Sequence, residues 1–413
     1  SSLMPSDITY VSTADLEQAG ESSHDASVNA VQTRRAVPRR PGASHATCYA
    51  FGAARVDVES SSADAGRWLE EFLTPWMATT RTGAADVVVR FDSALDAFAA
   101  LRLQRATTPT RLVPCFALDR RVVTLPGWND GDAIVVADDE IDCGYRVTRD
   151  RIDVVAPPDA RRARIGLMRV VRERLTSVSA SIETCLDLHA AAFDVGGRAV
   201  IVAGPRRAGK TSLLCHALAS GRTGLIANDR VVVRLDGDEA TTAHGVPTLV
   251  AIRPATLSSF PMLRIAPDER PALRHATEAE DDAANAPASE RDFSLSPRQL
   301  AARLGAPCVA HTPISAVVFP EIVDDESTWT TDTVSEIEGR ARLAACVYGS
   351  RHQAVRTIIA SIGGVAPDAA PADDRTRGFV ARLAASARLV RLRLGRRAYD
   401  RPAGAWLDAI ETA

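Results

Sequence analysis

The stretch AVIVAGPRRAGKTSLLCHAL, residues 199–218, decides how the rest of the chain is read. Five small apolar residues, 199–203, fit a buried strand. Gly204 follows, then four residues, then Gly209-Lys210-Thr211, then Ser212 and an apolar segment of helical character. This is G-x-x-x-x-G-K-[ST] set between a strand and a helix, the context that gives the pattern its meaning. Glycines let the backbone turn tightly, so that its N–H groups converge on an anion. The start of the helix adds partial positive charge. The candidate phosphate loop is therefore Gly204, Pro205, Arg206, Arg207, Ala208, Gly209, Lys210, Thr211 and Ser212. Lys210 supplies a point charge for β- and γ-phosphates, and the Thr211 hydroxyl is offered to Mg²⁺. Composition sharpens this reading. The chain has 49 Lys and Arg among 413 residues, and Lys210 is the only lysine. An ammonium is a compact charge and a guanidinium a planar fork, so a lone lysine at this position points to work that arginine does not do. Arg206 and Arg207 either brace phosphates as guanidinium clamps or face solvent.

Downstream, LIANDRVVVR (225–234) reads as a second apolar strand interrupted by Asn228-Asp229. A polar pair inside an apolar run is costly to bury without partners. Asp229 is therefore expected to reach the phosphate site as Mg²⁺ ligand, general base, or both. Asp236-Gly237 then looks like a hairpin turn. Upstream, His189 precedes the apolar run 190–195, ten residues before residue 199.

Taken together, HAAAFDVGGRAVIVAGPRRAGKTS (189–212), Gly221 and LIANDRV (225–231) resemble the HPr kinase/phosphorylase family. Likeness extends more thinly through 247–254 and 296–319. The resemblance implies an α/β fold: a P-loop kinase core of the HPr kinase/phosphoenolpyruvate carboxykinase type, with an additional N-terminal α+β domain. It implies ATP and Mg²⁺ as cofactors and phosphoryl transfer to a serine-like hydroxyl of a peptide, protein or small molecule. It also implies roles: Gly204, Gly209, Lys210 and Thr211 on phosphates and Mg²⁺, Asp229 as the acidic residue of the strand pair, and His189 near the phosphates. The family tends to assemble into homo-oligomers, although no interface pattern is visible in this sequence. Three departures mark a divergent member. The acidic pair is Asn228-Asp229, and an amide binds metal weakly and cannot act as a base. Ser212 stands where the family usually carries glutamate, and Pro205, Arg206 and Arg207 replace small residues. These changes count against phosphorolysis and leave Asp229 as the candidate base. A nucleotide-binding recognition or adaptor protein is the competing class, favoured by Asn228. Arg253 is a further candidate lining residue.

Outward from this core, residues 1–46 are rich in Ser, Ala, Asp and Arg and read as a disordered arm. Residues 47–158 read as an α+β domain for acceptor or partner recognition. Strands are expected at 49–59, 86–91, 122–125, 133–137 and 144–156, and a helix at 64–74. A helix over 159–187 would connect this domain to residues 188–413. Within the latter, 268–292 reads as a flexible insertion. Helices are expected at 296–304, 340–348, 351–362, 375–386 and 403–410, and strands at 315–319 and 387–394. The net charge of −3 argues against a basic nucleic-acid binder, and no apolar run is long enough to span a membrane. The N-terminal segment lacks a signal-peptide apolar core. Seven scattered cysteines with no C-x-x-C pair count against zinc and a disulfide framework and fit a reducing cytoplasm.

Overall fold

In the computed structural model, the described residues are 43–80, 85, 87–117, 122–158, 163–182, 185–236, 240–252, 254–263, 293–348, 357–359, 372–400 and 402–412. The expected arm falls almost wholly outside them, as do the expected insertion 268–292, Arg253 and most of the expected helix 351–362. The protein is mixed α/β, and its described residues build two large mixed sheets of nine strands each and a small third sheet of two.

The first sheet begins with a hairpin, β1 (His45–Phe51) and β2 (Ala54–Ser60). The alternation over 49–59 reads as one strand in sequence. Gly52, at φ 58°, turns the chain in its middle, a conformation that costs glycine little. Helix α1 (Ala63–Leu73) is capped by Ser62, whose side chain accepts from Ala65 N, and it buries Leu69, Phe72 and Leu73. There follow β3 (Ala78–Thr80), β4 (Val87–Ser93), α2 (Leu95–Thr107), β5 (Arg111–Ala117), β6 (Val122–Asp130), β7 (Ala133–Asp138), β8 (Cys143–Val147) and β9 (Arg151–Ala156). The strand order is β3-β1-β2-β4-β9-β8-β7-β6-β5, with β2, β4 and β9 parallel. Three elements of this sheet, β3, α2 and β5, had no sequence-level expectation. In α2 only Leu101 is buried, which leaves almost no apolar stripe to read. In β5, Pro114 argues against a strand, yet the sheet tolerates it at an edge. Helix α3 (Ala163–Ile182) lays Leu167, Met168, Val171 and Leu175 on the core with Val58, Val89 and Tyr145.

The second sheet starts at β10 (Cys185–Leu188), which corrects the expected connecting helix. The helix ends at Ile182, and residues 185–188 alternate half-buried and buried while pairing with β14 (Val231–Asp236). In chain order from β10 come β11 (Ala190–Val195), β12 (Arg198–Ala203), α4 (Lys210–Leu218), β13 (Thr223–Ala227), β14, β15 (Ala240–Gly245), β16 (Val250–Ile252) and α5 (Pro254–Ser259). Then come β17 (Phe293–Leu295), α6 (Pro297–Arg303), β18 (His311–Ile322), β19 (Trp329–Thr333), α7 (Glu336–Ala344), α8 (Ala372–Ser386), β20 (Arg388–Leu394) and α9 (Gly404–Thr412). The order is β10-β14-β15-β18-β12-β11-β13, and β20 pairs with both β18 and β19. Both faces of the sheet are covered. Val200, Val202, Val318 and Leu392 meet Leu213, Leu300 and Trp406 on one side. Ile201, Ala203, Val317 and Phe319 meet Leu343, Phe379 and Leu383 on the other. A strand covered on both faces reads as a continuous apolar run, which is what residues 199–203 are.

The two sheets are tied by specific contacts. Trp76 Nε1, just past α1, donates to the Ile226 carbonyl of β13 at 2.6 Å. Arg298 Nη2 of α6 donates to the Thr74 carbonyl at 2.9 Å. The Arg234 guanidinium lies 4.6 Å from the centre of the Phe51 ring.

Candidate functional site

Strand β12 delivers the loop 204–209 to the start of α4. Two residues of the loop are left-handed, Arg207 at φ 68° and Gly209 at φ 90°. Ala208 N donates to the Pro205 carbonyl at 3.2 Å, closing the loop on itself. A side chain on Gly204 would place its Cβ 3.2 Å from that of Ala208, tighter than most real contacts. Gly209 is the residue before the helix and offers no side chain to cap it. The first N–H groups of a helix have no upstream carbonyl, so this end is suited to an anion. Lys210 is buried, and its Nζ donates to the carbonyls of Gly204 at 2.8 Å and Pro205 at 3.1 Å. Pro205, Arg206 and Arg207 are exposed, while Ala208, Gly209, Thr211 and Ser212 are half-buried. Burial pushes the Tyr399 phenol above its ordinary value, with a hydrogen bond to Ser212 pulling the other way.

Sheet register brings two further segments to the same end of the sheet. Ala190 of β11 pairs with Ala203 of β12, so His189 and Gly204 lie one step beyond the same pair. Ala192 pairs with Ala227 of β13, whose exit carries 228–230. The expected single strand over 225–234 is thus two strands of different sheet position, and Asn228-Asp229 is the bend between them. The polar pair needs no burial inside a strand, and its two members diverge. Asn228 is buried, its Oδ1 accepting from Thr248 Oγ1 at 3.0 Å. The Asp229 side chain is 46% exposed and places Oδ1 3.6 Å from His189 Nε2. That separation suits an ion pair and is too long for a hydrogen bond. The His189 backbone N–H donates to the Cys346 carbonyl at 2.7 Å. No group of three or more His, Cys, Asp or Glu suited to a metal occurs among the described residues.

Sequence reasoning missed the charged group behind this bend. Arg230 is buried. It bonds Asp187 through Nη2 at 2.6 Å and both oxygens of Glu173 through Nη1 at 3.1 Å. Its guanidinium also sits 4.3 Å from the centre of the Tyr348 ring. Burial disfavours the charge on Glu173, but Arg230 and Arg172 outweigh it and hold the carboxyl below its usual range. The signal was present in sequence as Arg172-Glu173-Arg174 between the apolar residues Val170-Val171 and Leu175, and Asp187 between two leucines.

No protein-family model and no curated protein matches the chain. Among solved structures, the chain is similar to the Hpr(Ser) kinase/phosphatase from Coxiella burnetii, at 12% identity and a TM-score of 0.21. The match covers 36% of this chain and 72% of that one. At that identity and score the likeness by itself assigns no activity. No helix among the described residues is long and apolar enough to cross a membrane.

Proposed function

We propose that this chain is a nucleotide-dependent phosphotransferase that moves the γ-phosphoryl group of ATP to a hydroxyl of a peptide, protein or small molecule. One observation carries the reading. The loop 204–209, with the ammonium of Lys210 buried at its base, and the His189–Asp229 pair leave the same end of one sheet. The loop fits a polyphosphate: it is tightly turned, has exposed crest residues, and ends at a helix start that has no side-chain cap. Its N–H groups and Lys210 would hold the phosphates, and Thr211 and Asp229 are the candidate oxygens for Mg²⁺, since the Asn228 oxygen is turned inward to Thr248. When bound, Mg²⁺ would neutralise charge on the phosphoryl oxygens.

The chain's own residues do the remaining work. Asp229, half-exposed, accepts the proton of the acceptor hydroxyl. His189 lies beside it and restrains its carboxylate. Arg206 and Arg207, exposed on the crest of the loop, would brace phosphate oxygens from the solvent side. Positioning and electrostatics of this kind are most of what phosphoryl transfer demands. The sequence likeness over 189–231 points the same way.

The test is ADP release and acceptor mass after incubation with ATP, Mg²⁺ and serine-bearing peptides or small alcohols. Lys210→Ala and Asp229→Asn should each lower transfer by about a hundredfold or more. Transfer untouched by Asp229→Asn would remove it as the base. A second reading, a nucleotide-binding adaptor, draws on Asn228, which is occupied by Thr248 and contributes no carboxylate. Nucleotide binding that depends on Lys210, with no transfer to any acceptor, would select it.

A further inference from the structure

The charged group behind the bend has a geometry that stability does not explain. Taking the guanidiniums of Arg230 and Arg172 and two carboxylates out of water costs several kcal/mol per ion by rough continuum arguments, and apolar residues often serve a core as well. What the group does provide is position. Arg230 follows Asp229 directly in the chain, and Asp187 precedes His189 by two residues. The Arg230 guanidinium grips Asp187 by donating from Nε to Oδ1 at 3.1 Å and to Oδ2 at 2.9 Å, and from Nη2 to Oδ2 at 2.6 Å. Its Nη1 takes both oxygens of Glu173, and Nη2 reaches Thr176 Oγ1 at 3.3 Å, both on α3. The Asp187 carbonyl accepts from Tyr348 N at 2.7 Å, and the Tyr348 ring lies against the same guanidinium.

We propose that Arg230 is the positioning residue of the site: its fork locks the segment bearing His189 to the bend bearing Asp229 and braces both on α3. The role in turnover rests on the phosphotransferase reading, whereas the locking of His189 to Asp229 does not. A lysine keeps the charge and loses the planar fork, so it cannot hold Asp187 and Glu173 at once.

Arg230→Lys tests this in the full chain. The His189 ring Cε1–Hε1 cross-peak is followed by NMR and identified by its loss in His189→Gln. The reference is His216, whose Nδ1 accepts from Trp406 Nε1 at 3.0 Å away from the network. The expected result is a displaced His189 peak, an unmoved His216 peak, ATP affinity within about twofold and turnover lowered about tenfold or more. A His189 peak that stays in place overturns the proposal, as does a displaced peak with unchanged turnover. Where Arg230→Lys does not fold cooperatively, Asp187→Asn is read by the same criteria. A displaced His189 peak in a protein whose wild type transfers phosphate to no acceptor supports the lock and refutes the kinase.

Discussion

At the residue scale, Lys210 is the sharpest feature of this chain. Forty-eight arginines occupy the other basic positions, so positive charge as such was interchangeable there. The structure places this one ammonium in a buried niche formed by the carbonyls of Gly204 and Pro205. A guanidinium is wider and flat and would not fit between two carbonyls of one tight loop. Lys210→Arg should therefore lower ATP-dependent turnover by about a hundredfold or more while the circular dichroism spectrum stays near wild type. A fully active arginine variant would reduce the lone lysine to an accident of composition. Asp138 offers a second test, one of stability. It is buried on β7, where burial above all raises its carboxyl from 3.8 to about 6, despite a hydroxyl donated by Tyr145. A raised folded-state value means that folding favours the protonated form. Its stabilising contribution is complete below pH 3.8 and is lost as pH rises through about 6. Asp138→Asn should flatten this dependence. Unfolding free energies of wild type and variant, measured from pH 4 to 8, should diverge by up to about 3 kcal/mol.

At the element scale, the readable parts were those with a strong period or a chemical signature. The run 199–203 is buried on both faces and so is apolar throughout, and the helix α6 has proline at its start with Ser296 and Gln299 closing a capping box. Elements with divided or thin signals were misread. One alternation ran through the β1–β2 hairpin, because the turn at Gly52 does not interrupt the two-residue period. Helix α2 escaped notice because the side of the first sheet it covers accepts only Leu101. The bend 228–230 was legible as polar but not as a bend. Only pairing with β11 on one side and β10 on the other shows that β13 and β14 diverge there.

At the scale of the molecule, residues distant in sequence connect the first sheet to the site. The Trp76 indole donates to the Ile226 carbonyl, two residues before Asn228, and it is buried in the core of the second sheet. Gly245 lies beneath it, and a side chain there would collide with both the indole and the Ile226 carbonyl. Trp76→Phe keeps most of the apolar contact and leaves that carbonyl without its donor, which should cost about 1–3 kcal/mol. Denaturant unfolding measures this cost directly. Slowed turnover at unchanged ATP affinity would further show that the first sheet bears on Asp229.

The sequence by itself determined the tight loop 204–209 between β12 and α4, because glycine conformation, the strand period and a helix start are local properties carried by adjacent residues. The tertiary structure alone decided which carboxylate faces the loop's end of the sheet. Asp229 is half-exposed beside His189, Asn228 is turned inward to Thr248, and Arg230 is clamped between Glu173 and Asp187. These partners stand tens of residues apart. Which of them meet depends on strand register and on how α3 crosses behind β14, and no local pattern encodes that.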